Sequence, residues 1–170
     1  MVALLTAMLI TCTRNPVTVP LPTPAPSDVR KAGPPELYPN PELTPGFVNP
    51  DITQDNIADT ICNPAWSTRS VRPATSYTRR LKRDQMLQLG LAGALSGYEE
   101  DHFISLELGG HPTDPRNLWP EPYSPKPGAR QKDVVENYLR KQVCSGALTL
   151  KDAQDAIVAD WYKIYLELHP

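Results

Sequence analysis

The last third of the chain carries the clearest hydrophobic rhythm. Ala153, Ile157, Trp161, Ile164 and Leu168 recur at steps of four and three, which predicts one buried stripe of a helix. Thr149 stands just before the stripe with Asp152 three residues on, a pairing that suits a helix start. A second helix is predicted over about Ala129 to Val143, from Val134, Val135, Tyr138 and Leu139, stopping before Ser145-Gly146. A third, earlier in the chain, is predicted over about Thr78 to Leu89. Leu81, Met86 and Leu89 form its apolar face and Gly90 its stop.

Between the first two of these helices in chain order the pattern changes. His102 to Leu108 partly alternates and ends at Gly109-Gly110, a turn signal. Asp114-Pro115-Arg116 is a second turn, followed by Asn117-Leu118-Trp119 and then Pro120. Two short extended pieces followed by a helix give a β-β-α order inside an otherwise helical unit. The fold class expected is therefore α+β, small and mostly helical.

The N-terminal part reads differently. Val2 to Ile10 is an apolar run far short of the roughly 20 residues that a spanning helix needs. It suits the apolar segment of a secretory signal, although no Lys or Arg precedes it. Leu9-Ile10-Thr11-Cys12 resembles a bacterial lipoprotein cleavage box, which makes Cys12 the candidate lipidated residue and residues 1–14 the leader. Eleven of the 20 prolines lie between Pro16 and Pro50, whereas only Tyr38 and Phe47 of the aromatics precede Ile61. Such a stretch buries too little apolar surface to offset its ordering entropy. Residues 15–59 are thus expected to be a disordered, proline-rich linker and 60–170 the folded domain. Anchored at Cys12, the linker would hold the domain off a membrane.

Cys62 and Cys144 bracket the domain. In an exported protein the simplest reading is a disulfide; in a cytosolic one, two buried free thiols. No C-x-x-C pair is present, so a zinc site is not expected.

A net charge of -2 excludes binding of nucleic acid by bulk charge alone. The charges are nevertheless segregated. Arg69, Arg72, Arg79, Arg80, Lys82 and Arg83 fall in one stretch with no acidic residue before Asp84. Glu99, Glu100 and Asp101 form a purely acidic cluster. The first could hold phosphate and the second a cation, or both could be solvated faces. Asp101 and His102 would point to opposite faces of a regular strand, so they can share a site only at a strand end or in a loop. A carboxylate suits a hard divalent ion, and a neutral imidazole suits deprotonating water.

Taken in order, Tyr98-Glu99-Glu100-Asp101-His102, Leu106-Glu107-Leu108-Gly109-Gly110 and Asn117-Leu118-Trp119-Pro120 resemble the HNH endonucleases, the ββα-metal finger nucleases. Cys62, Arg72-Pro73, Lys132-Asp133, Glu136 and Val143-Cys144-Ser145-Gly146 are similar to a bacterial branch of that family, so the likeness runs from about Thr60 to Tyr165. It implies a domain built around a ββα-metal motif and metal-dependent hydrolysis of phosphodiester bonds. His102 would be the general base, Asp101 a ligand of a divalent ion such as Mg²⁺, and Asn117 the residue that fixes the ββ loop and the orientation of His102. The arginines Arg69, Arg72, Arg79 and Arg80 would contact substrate phosphates.

The chain departs from the family at the helix, where many members supply a further His. Here no His follows His111 until His169. Asp133 and Glu136 are the residues that could complete a carboxylate-rich metal site, with Lys132 on phosphate; an ordinary Lys132–Glu136 surface ion pair is the alternative. His111 could touch substrate or be a plain surface residue. Trp119 could lie beneath the site or stack on a base. Glu99 and Glu100 could support a metal site or be solvated charges. The expected protein is a monomeric, exported nuclease acting on nucleic acid, DNA rather than RNA. The alternatives are a catalytically inactive nucleic-acid-binding or envelope lipoprotein module, and a cytoplasmic location.

Overall fold

A computed structural model describes residues 31–169 of the chain. The leader, Cys12 and residues 15–30 of the expected linker lie outside the described residues. The fold is α+β. Among the described residues it has three α-helices, α1 (Thr75–Gln88), α2 (Ala129–Cys144) and α3 (Leu150–Leu168), and an antiparallel pair of strands, β1 (Tyr98–His102) and β2 (Leu118–Pro122). None of these helices is long and apolar enough to cross a membrane.

Helix α1 starts three residues earlier than expected. Its end follows the sequence signal: Gly90 takes φ 63°, Leu91 N–H donates to Met86 and Gly90 N–H to Leu87. This double bond closes the last turn at a residue free of a Cβ clash. In α2 the buried face is Lys132, Val135, Glu136, Leu139 and Val143, while Val134 is exposed, so the stripe is rotated from the one expected. Helix α3 begins as its sequence indicates, with the Thr149 hydroxyl accepting from Asp152 N–H at 3.0 Å. Ala153, Ile157, Trp161 and Ile164 then enter the core. A kink at Asp160 (φ -167°, ψ 84°) interrupts it, and the Asp160 carboxylate accepts from Lys163 N–H, restarting the helix.

The extended pieces differ from expectation. The acidic run itself forms β1, and Leu106–Leu108 is a 3-10 turn instead of a strand. Ser105 Oγ accepts from Glu107 N–H, and Gly109 at φ 70° ends the turn. Phe103, Ile104, Ser105, Leu106 and Leu108 are all buried, so apolar content here reflects enclosure on all sides and not a two-faced strand. Tyr98 pairs with Pro122, Glu100 with Pro120 and His102 with Leu118. Among the described residues the sheet has two strands, each with an unpaired edge, and two prolines fit in β2.

Residues 31–59 pack on the domain, where a disordered linker was expected. Leu37 and Tyr38 are buried in the core. Trp161 Nε1 donates to the Leu37 carbonyl, and Tyr38 O–H and Ala32 N–H donate to Asp160. Val48 bridges to Gly110. Few aromatics were needed, because these prolines already restrict the unfolded chain and lower the ordering cost. Cys62 and Cys144 form a disulfide, Cα–Cα 5.4 Å, that ties the domain's entry to the end of α2.

Candidate functional site

The end of β1 meets the loop to β2 on one side and α2 on another. His102, the last residue of β1, is 3% exposed. Its Nε2 lies 2.9 Å from the Pro112 carbonyl oxygen. A carbonyl only accepts, so Nε2 carries the hydrogen and Nδ1 keeps its lone pair. Nδ1 has no partner among the described residues. Burial pushes the imidazole below its ordinary pKa, against the pull of the Pro112 carbonyl and Asp101, so it stays neutral at pH 7.

Asn117, fully buried, is the clamp of the loop. Its Oδ1 accepts from Ile104 N–H at 2.9 Å and Phe47 N–H at 3.2 Å; its Nδ2 donates to the carbonyls of Ile104 and His111. It acts on His102 through the loop that presents Pro112, with no direct bond to the ring. Gly110 sits against it: a Cβ there would lie 1.7 Å from the Ile104 carbonyl oxygen. Any side chain would force the loop open.

Lys132 corrects an expectation. Instead of facing substrate phosphate it is fully buried, donating to Asp101 Oδ2 at 2.6 Å, to the His102 carbonyl at 2.9 Å and to Glu136 Oε1. Its ammonium has three acceptors and no donor left for substrate. Nor is the Lys132–Glu136 pair the surface ion pair of the alternative. Ser105 Oγ donates to the other Glu136 oxygen. Against the cost of burial, the charge of Lys132 holds Asp101 below the ordinary carboxylate range. Burial is likewise outweighed at Lys132, whose pKa is raised by Asp101, Glu136 and Glu121. Burial pushes Glu136 up and Glu121 well up.

A cavity of about 200 Å³ opens beside this cluster, lined by Glu99, Asp101, His102, Glu107, Asp133 and Glu136, with Arg72 at its wall. Asp101 and His102 thus share a space, because the strand ends there. Burial and then the charge of Asp101 raise both Glu99 and Asp133. Mutual repulsion of this kind is relieved by a cation. Among the described residues no three His, Cys, Asp or Glu side chains converge as a metal cluster. Asp101, Asp133 and Glu136 reach one cavity, but Lys132 occupies one oxygen of Asp101 and of Glu136. The donor chemistry suits a hard ion held by one or two carboxylates and otherwise by water, the manner of Mg²⁺.

On the other side of β1 a cleft of about 630 Å³ is lined by Arg72, Arg79, Lys82, Arg83, Glu100 and His102, among others. Arg79, Arg80 and Arg83 line an adjoining hollow. Arg69, exposed in the turn Thr68–Ser70, lines neither. Lys82 donates to the carbonyls of Leu95 and Tyr98, and so braces the entry to β1. His111 Nδ1 accepts from Thr113 and Asp114 N–H, a loop-shaping role, and Trp119 is buried.

One acid, Glu121, escaped the sequence reading, and another, Glu100, is not the solvated charge that the sequence allowed. Glu100 is 8% exposed, neither carboxylate oxygen has a hydrogen-bond partner among the described residues, and burial pushes it up to about 8. Glu121 is 1% exposed and lies directly opposite Glu99 in the sheet; burial pushes its carboxyl well up, so that it keeps a proton and donates it in a hydrogen bond to Asp101. The alternation of β2 from Trp119 was the signal for Glu121; nothing in the sequence marks Glu100 as buried. Compared with protein-family models, curated proteins and solved structures, the chain matches none.

Proposed function

We propose that the protein is a metal-dependent HNH-type endonuclease that hydrolyses phosphodiester bonds, with His102 as general base. The observation that carries this reading is the unpaired Nδ1 of a neutral, pinned imidazole, placed between an acidic cavity and a basic cleft. In it, Nδ1 takes a proton from water as the water attacks phosphorus. Arg72 and Arg79 hold the phosphate at the mouth of the cleft. Asp101, with Asp133, would hold the divalent ion, and Glu136 would support Asp101 through Lys132. The ion would stabilise charge developing on the phosphate and the leaving oxygen. Asn117 keeps the loop, and with it Pro112, in place. The order β1, β2, α2 along the chain supports reading residues 60–170 as a ββα-metal nuclease domain.

The disulfide supports an exported location, and Cys12 remains the proposed lipidation site. DNA is the proposed substrate and a monomer the proposed state. A second reading, a nucleic-acid-binding module without catalysis, is favoured by the built-in ammonium of Lys132, which already neutralises part of the acidic cluster. Plasmid cleavage with and without Mg²⁺ separates the two: cleavage stopped by chelator supports the nuclease, and its absence at any metal concentration supports the module.

A further inference from the structure

Helix α1 presents more positive charge than a scissile phosphate needs. Arg79, Arg80 and Arg83 are exposed on it, and Arg79 and Arg83 stand one turn apart. Like charges at that spacing destabilise a helix. Among the described residues none of the three, nor Arg72, forms an ion pair. The cleft that His102 lines and the hollow of about 380 Å³ beside it share Thr75, Arg79 and Arg83 as walls. Arginines therefore line a surface that runs from the cleft at the imidazole, where Glu99 and Glu100 also sit, outward along α1 to Arg80. The helix start adds to it, since Ala74 offers no side-chain cap to the first-turn N–H groups.

We infer that this stripe is a track for the sugar-phosphate backbone beyond the cleavage site, in which Arg80 and Arg83 bind the phosphates flanking the one at His102. The inference rests on the nuclease reading for the identity of its occupant and makes that occupant a polymer, not a mononucleotide. Thr75 to Arg83 covers about 12 Å of helix. At about 3.4 Å of axis per nucleotide of one strand, that is the reach of roughly three to four nucleotides. No base-reading group is needed: guanidinium groups meeting phosphates fix position and carry no sequence information. Binding is thus sequence-independent and steeply salt-dependent.

The test uses the full chain with His102→Ala, so that bound nucleic acid is not cut, in chelator. Fluorescence anisotropy with a labelled duplex oligonucleotide gives Kd across a range of potassium chloride concentrations. Adding Arg80→Ala and Arg83→Ala is expected to weaken binding and to flatten the slope of log Kd against log salt by about two. Arg80→Lys with Arg83→Lys is expected to keep the slope, and melting curves to match, because both side chains are exposed. An unchanged slope in the double alanine variant overturns the track. Loss of cleavage by the parent protein with the slope effect intact would remove the nuclease reading and leave the track.

Discussion

His102 Nε2 donates to the Pro112 carbonyl across 2.9 Å, from a ring that burial keeps neutral. A general base must be unprotonated, and the folded pKa lies below the ordinary value for His of about 6.5. Cleavage should therefore rise with pH through a midpoint below that value and be level by neutrality. A pH–rate profile at saturating metal checks this; a midpoint above 7 would assign the titration to another group.

Asn117 makes four side-chain hydrogen bonds while fully buried. Asn117→Ala orphans Ile104, Phe47 and His111 backbone groups in the interior. Losing such a network is expected to cost about 2 to 4 kcal/mol, read as a fall in denaturant midpoint. Cleavage should fall as well, since the loop carries the carbonyl that orients His102.

Lys132→Met should be among the most damaging single changes. It leaves Asp101 and Glu136 without their ammonium, and breaking a buried pair on one side costs about 3 to 5 kcal/mol. Asp101 is held below its ordinary range, so its contribution is present at neutral pH and lost on acidification through the folded pKa. The deficit of the variant relative to the parent should thus shrink as the pH is lowered. A deficit independent of pH would mean that Lys132 acts by packing alone.

Glu100 is raised from 4.5 to about 8. The folded state binds its proton more tightly than the unfolded state does. Its effect on stability is neutral below about 4.5 and increasingly unfavourable as pH climbs towards 8. Glu100→Gln should remove this loss, a gain on the order of a few kcal/mol in alkaline buffer and little in acid. Chemical denaturation at several pH values measures it.

The helices were legible because their signals are local: a capping Thr149, a stop at Gly90, a stripe ending near Leu168. The strand limits were not. Glu99 to Asp101 has no strand-like composition and forms β1 because β2 pairs with it, while buried Lys132 on α2 and Lys82 on α1 receive its side chains and carbonyls. The pairing of Cys62 with Cys144 could be counted from sequence. Lys132 was misread for a related reason: a lysine beside two acids at helical spacing looks solvated until a third acid arrives from a strand 31 residues away. The packing of residues 31–59 was hidden in the same way, since Leu37 and Tyr38 fill space created by α3, far along the chain.

The most direct measurement is plasmid cleavage by the full chain with Mg²⁺, run beside His102→Ala of unchanged melting temperature. The parent should nick the plasmid and stop in chelator, and the variant should be slower by about 10² to 10⁴. A variant that cuts at the parental rate would contradict the role of His102 and, with it, the chemistry assigned to the site.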